Sequence, residues 1–190
     1  MDDIYKDIPT WDNGTWTTTS FESRDEWRDF LFSIFREPGK YEFNEVTNEI
    51  FIAESRKFRE TKVYCTAPFK SRDFVNYWDD QKNKCRLGVL VKSDNKTWYL
   101  TRDYYMWLNF LPIFDKEQQK FDFAQIRDAQ YHMALYEVLA ELFYLHAAIL
   151  KKRQIASSYF HAGKLINQLW FEAGVTLKMG ASLKDYINEK

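Results

Sequence analysis

After Leu150 the chain places Lys151, Lys152 and Arg153, then Gln154 and Ile155, then the small residues Ala156, Ser157 and Ser158. An amphipathic helix follows, so this run sits at a helix N-terminus, where unpaired N–H groups carry a partial positive charge. Cations placed there repel that charge, and no acid lies nearby in sequence to offset them. An anion bound among the N–H groups of Ile155 to Tyr159 would turn the repulsion into attraction. The chemistry open to these residue types is therefore phosphate binding. Ala156, Ser157 and Ser158 let the backbone approach, Ser158 can offer its hydroxyl to Mg²⁺, and Arg153 or its neighbour Lys152 can supply charge. The run lacks glycine, and phosphate-loop glycines often take φ > 0, which alanine reaches only with strain. Taken alone, the same residues also fit a basic turn leading into an ordinary helix.

Upstream, Arg127 and Gln130 stand at Arg-x-x-Gln spacing near a second helix start. A glutamine amide can donate to and accept from an adenine edge at once. The other chemistry-bearing residues form no constellation. His132, His146 and His161 lack metal-ligand spacing and read as ordinary histidines. Asp2-Asp3 and Asp79-Asp80 have no supporting histidine or third carboxylate and read as solvated faces or caps. Cys65 and Cys85 show neither CxxC spacing nor a disulfide framework, so both are expected as thiols. The aromatic run "DYYMW" together with the basic loop could form a single-strand nucleic-acid platform, but such runs are more often core.

The elements that must carry these residues follow from periodicity. Ser23 and Glu26 make a capping box, Trp27, Phe30, Leu31 and Ile34 recur at helical spacing, and Pro38-Gly39 ends that helix. Val46, Ile50, Ala53 and Phe58 predict a second helix from Phe43 onward, and "YCTAPFK" a loop. Ser71 caps a third helix bearing Phe74, Tyr77, Trp78 and Cys85, with Gly88 just past its end. Val89 to Leu100 read as a hairpin turning at Ser93-Asp94-Asn95-Lys96. Asn13-Gly14-Thr15 reads as a turn. A helix is expected over Gln125–Phe143, a short strand over His146–Leu150, and after the basic loop a helix presenting Phe160, Leu165, Leu169 and Trp170. Gly174 ends it, and Val175–Met179 could begin another strand.

With 190 residues, 45% of them hydrophobic and 18% aromatic, the chain is expected to fold. Lys and Arg total 27 against 28 Asp and Glu, so global charge gives no support for nucleic-acid binding. No apolar stretch reaches the ~20 residues of a membrane span. The acidic first residues have no apolar signal core, and a cytoplasmic location is expected, host cytoplasm if the protein is viral.

Taken together, "IRDAQYHM" and "HAAILKKRQIASSYFHAGKLINQLWF" resemble the ATPase motor of the tailed-phage large terminase family. In that family an Arg-Asp-x-Gln adenine motif precedes an apolar strand and a Walker A variant whose basic residue leads the loop. Here the matching loop is Arg153-Gln154-Ile155-Ala156-Ser157-Ser158, and "YYMWLNFLPI" before the adenine motif also looks like the family. The likeness is specific from about Tyr104 to Phe171 and departs from the pattern at Ala156, where the family prefers glycine. It implies ATP and Mg²⁺ as cofactors, with Arg127 and Gln130 at adenine, Lys152, Arg153, Gln154, Ala156, Ser157 and Ser158 at the phosphates and Ser158 at the metal. It also implies an α/β fold. An α+β region of helices and a hairpin over residues 1–120 would lead, at 121–190, into the start of a P-loop parallel sheet. No apolar strand running into Asp-Glu follows the loop, and no acidic nuclease cluster appears. The expectation is thus an N-terminal terminase piece that binds ATP without hydrolysing it alone. Double-stranded DNA would be engaged only by the intact motor, with the small terminase and portal proteins as partners and no membrane. The alternative is a stand-alone interaction module with an aromatic surface and no nucleotide chemistry.

Overall fold

The computed structural model describes residues 4–115, 119–150 and 156–176. In chain order the elements are β1 (Ile8–Asp12), β2 (Thr15–Thr19), α1 (Arg24–Ile34), α2 (Glu45–Phe51), α3 (Ala53–Thr61) and α4 (Arg72–Leu87). They continue with β3 (Val89–Ser93), β4 (Lys96–Leu100), α5 (Arg102–Phe110), β5 (Ile113–Asp115), β6 (Lys120–Asp122), α6 (Asp128–Leu142) and α7 (Ser157–Phe171). The architecture is mixed α and β. One sheet runs β2-β1-β3-β4, antiparallel except where β1 lies parallel to β3, and β5 and β6 form a separate hairpin. Among the described residues no helix is long and apolar enough to cross a membrane.

Both hairpins of the main sheet turn on two residues with positive φ, Asn13 and Gly14 in one, Asp94 and Asn95 in the other. Such turns match the natural twist of the strands they join, and Asn, Asp and Gly tolerate the left-handed region best. The first hairpin goes beyond the simple turn expected at Asn13-Gly14. Its strand β1 then pairs with β3 through Thr10, Trp11 and Asp12, a partnership eighty residues apart that no local pattern encodes.

Side-chain caps start α1, α2, α4 and α5, where Ser23, Asn44, Ser71 and Thr101 accept from a first-turn N–H. In α1 the carboxylate of Glu26 reaches back to the N–H of Glu22 rather than to Ser23. The single helix expected from Phe43 is instead α2 and α3, broken at Ile52. Asn109 explains the break. Its Oδ1 accepts from the N–H groups of Glu54 and Ser55, so α3 is capped by a side chain from a distant helix.

Helix α5 runs through the middle of the molecule, and every residue from Asp103 to Asn109 is buried. The aromatic run is therefore core, and it cannot serve as an exposed base-stacking platform. Around it lie Trp27, Phe51, Tyr131 and Phe160, all 1% exposed or less. This core is continuous across Phe121, since residues of α1, β3, β4, α5, α6 and α7 all belong to it. The edge-to-face ring pairs that Tyr131 makes with Tyr41, Phe43 and Tyr104 add to simple area burial.

Two expectations about the C-terminal part change. Helix α6 starts at Asp128 rather than Gln125: Arg127 is its N-cap with extended backbone, φ −135 and ψ 133, and its N–H donates to the Tyr104 hydroxyl at 3.2 Å. The strand expected at His146–Leu150 does not form. Those residues make no ladder and lie exposed, apart from half-buried Ile149. A strand needs a neighbour for its backbone groups, and among the described residues neither edge strand of the main sheet, β2 or β4, pairs with this segment. The strand considered at Val175–Met179 lies mostly outside the described residues.

Candidate nucleotide-binding site

Helix α7 begins at Ser157, and Ala156 is its N-cap with φ 55 and ψ 20. The backbone thus enters the left-handed region at the position where the terminase pattern has glycine. Alanine there costs about 1–2 kcal/mol. Ala156→Gly removes that strain but loosens the unfolded chain by about 0.4–1 kcal/mol, leaving a net gain of roughly 0.5–1 kcal/mol. A thermal melt is expected to rise by about 2 °C. A fall would show that the methyl group contributes more by packing than its backbone costs.

The loop and helix residues named from sequence are not alike. Ser158 is exposed, whereas Ser157 is 3% exposed and turned into the protein. Lys152, Arg153 and Gln154 lie outside the described residues. At the other half of the site, Arg127 is the exposed N-cap of α6, and Gln130, one turn later, is 2% exposed.

Tyr104 links the start of α6 to α7. Its hydroxyl accepts from the Arg127 N–H at 3.2 Å, and its ring meets Phe160 of α7 edge-on at 5.9 Å. Burial pushes its phenol pKa well up, so the hydroxyl keeps its proton. Sequence reasoning grouped Tyr104 with the core and gave it no part in the site. Nothing in the local pattern distinguishes it from Tyr105.

A second connection runs along one face of α6. Gln130, Ala134, Glu137 and Glu141 recur at helical spacing and share that face. Glu137 Oε1 meets His161 Nε2 at 2.7 Å, Glu137 Oε2 accepts from Lys164 at 2.8 Å, and Glu141 accepts from Lys164 at 2.7 Å. These pairs ascend together, so α6 and α7 run the same way here and the first turn of α7 points back toward the Gln130 end. A charged network continues inward from Glu141 to Arg102, 3.7 Å away, which also holds Glu172 at 2.5 Å.

The electrostatics of this network follow from pairing. Burial alone would raise the Glu137 carboxyl, but His161 and Lys164 outweigh it and hold the pKa below the ordinary value. Lys164 is raised despite burial by Glu141, Glu137 and Asp103. Asp103 is pushed up by burial against the opposing pull of Arg102 and Lys164, and it accepts from Asn167 at 2.8 Å. The network was missed in the sequence, although acids four apart on α6 facing cations three apart on α7 are a readable pattern. A cleft of about 630 Å³ opens between these helices and the 145–149 segment.

The chain matches no protein-family model, no curated protein and no solved structure.

Proposed function

We propose that this chain is the N-terminal part of a viral genome-packaging motor of the tailed-phage large terminase kind, contributing the adenine- and phosphate-binding half of an ATP site. The observation that carries the reading is the joint at Tyr104, which seats the start of α6 and the first turn of α7 on one side chain. The start of α6 and helix α7, far apart in sequence, share that one side chain, which supports a site taking adenine at one and phosphates at the other. The positive end of α7 faces the Gln130 end of α6, and exposed Ser158 leaves a hydroxyl open to Mg²⁺. Adenine recognition by Gln130 would require that side chain to turn out of its buried position.

In this reading Arg153 and Lys152 neutralise the phosphates, while the acidic strand that activates water belongs to the rest of the motor. The chain then binds ATP and does not turn it over. Translocation of double-stranded DNA into a procapsid, with the small terminase and portal as partners, is the activity of the complete assembly.

Calorimetric titration with Mg-ATP tests this directly. Saturable binding is expected, weakened roughly tenfold or more by Gln130→Ala, Arg153→Ala or Ser158→Ala, each removing a contact to a charged or closely held group. Hydrolysis above background that Ser158→Ala abolishes would overturn the division of labour. Absence of saturable binding at millimolar nucleotide would favour the interaction module. For that second reading the specific observation is the exposed set of Phe32, Phe143, Tyr144 and Trp170, with Phe32 and Phe143 already edge-to-face.

A further inference from the structure

His161 lies one turn past Ser157, the first residue of α7, with both ring nitrogens facing acceptors. Nδ1 is 2.7 Å from the Ser157 carbonyl oxygen, and Nε2 is 2.7 Å from Glu137 Oε1. A carbonyl and a carboxylate can only accept, so each contact needs a proton on the ring nitrogen. The imidazolium satisfies both. A neutral ring satisfies one and turns a lone pair against the other oxygen at the same distance. The side chain is 42% exposed and open to protons from solvent, whereas its partner Glu137 is 8% exposed and held in place by Lys164.

We propose that His161 is a proton-operated latch that holds the first turn of α7 against α6 when protonated and releases it when neutral. The groups facing it are Glu137 and Glu141 from α6, Lys164 from α7 itself, and His146 from the segment between the helices. Arg102 and Asp103 of α5 act on this set through Glu141 and Lys164. His161 is a positioning residue here and needs no bound ligand to act.

The pH window follows from the shifts. The bond to Glu137 raises the His161 pKa above its ordinary value, with burial opposing. Its contribution is complete below about 6.5, the unfolded value, and is lost as pH rises through the folded one. Glu137 is shifted down, so its contribution is present above about 4.5, the unfolded value, and is lost only as pH falls through the folded one. The latch is therefore shut in mildly acidic solution and opens as pH rises through the raised His161 value.

Amide hydrogen exchange at pH 6.0 and 8.5, corrected for intrinsic rates, reads this at the Phe160 N–H, which donates to the Ala156 carbonyl at 3.1 Å. Relative to amides of α5, its protection is expected to fall roughly tenfold across that range, the effect of one lost charge-assisted bond. In Glu137→Gln the amide can meet either form of the ring, so the pH dependence should vanish. A pH-independent ratio in the unaltered protein, or one that persists in Glu137→Gln, overturns the latch. Should that variant not fold, an NMR titration of the unaltered chain decides. A His161 midpoint above the ordinary value supports the latch, and one at or below it refutes it. Neither readout involves ATP, so failure of nucleotide binding and failure of the latch are separate results.

Discussion

Asn109→Ala is expected to lower the unfolding free energy by about 4 kcal/mol, a large share of the ~5–15 kcal/mol of a typical domain. Asn109 is fully buried and its amide makes four bonds. Oδ1 accepts from the N–H groups of Glu54 and Ser55, and Nδ2 donates to the carbonyls of Phe51 and Tyr105. Alanine leaves backbone groups of three helices without these partners inside the core, at about 1–3 kcal/mol for each that finds no substitute. The denaturation midpoint should drop with little change in slope, and α3 should lose protection first because Asn109 caps it. Asn109→Asp tests the same point from the other side, since it keeps the acceptor, loses both donors and buries a charge. A loss below about 1 kcal/mol for alanine would show that α2 and α3 can rejoin as one continuous helix and satisfy their own groups.

Gly88→Ala is expected to cost about 3 kcal/mol or more, combining backbone strain of ~1–3 kcal/mol with a steric clash. Gly88 ends α4 with φ 76 and ψ −167, a conformation nearly confined to glycine. An added Cβ would stand 2.6 Å from the Leu100 carbonyl oxygen and 2.6 Å from the Tyr99 ring. The Tyr99 ring can move only by giving up its hydroxyl bond to the Leu87 carbonyl, at 2.8 Å, and the Leu100 oxygen belongs to the β3–β4 ladder. Chemical denaturation measures the loss. A cost under about 1 kcal/mol would mean that the α4–β3 junction relaxes more freely than its packing implies.

Several elements were legible because their signals are local. The caps at Ser23 and Ser71, the stop after α4, the β3–β4 turn and the buried character of the aromatic run each depend on residues a few positions apart. Others were hidden for a physical reason. Helix α7 reads as an amphipathic helix carrying Phe160, Leu165, Leu169 and Trp170, of which Leu169 is 61% and Trp170 68% exposed. Its inner face is Ser157, Phe160, Gly163 and Asn167, and all but Phe160 are small or polar residues that allow close approach to α5. A Cβ at Gly163 would lie 3.1 Å from Leu111 and 3.2 Å from Trp107, and Asn167 bonds Asp103 and the Cys85 carbonyl. Hydrophobicity cannot reveal a face chosen for proximity and hydrogen bonding.

The candidate site divides in the same way. Residue types and order alone marked Arg127, Gln130, Ala156, Ser157 and Ser158, because anion and adenine recognition depend on particular functional groups at short spacing. Only the tertiary structure decided that Tyr104 would bond the Arg127 N–H and pack on Phe160, that Ser157 would be buried while Ser158 is exposed, and that Ala156 would take a left-handed backbone. Only it set His161 against Glu137, and left His146–Leu150 without a strand to pair with. Caps, turns and periodicity are properties of neighbours along the chain, and the sequence determines them directly. Burial, cross-helix bonds and strand partnership depend on which surfaces meet, and those are settled when the whole core packs.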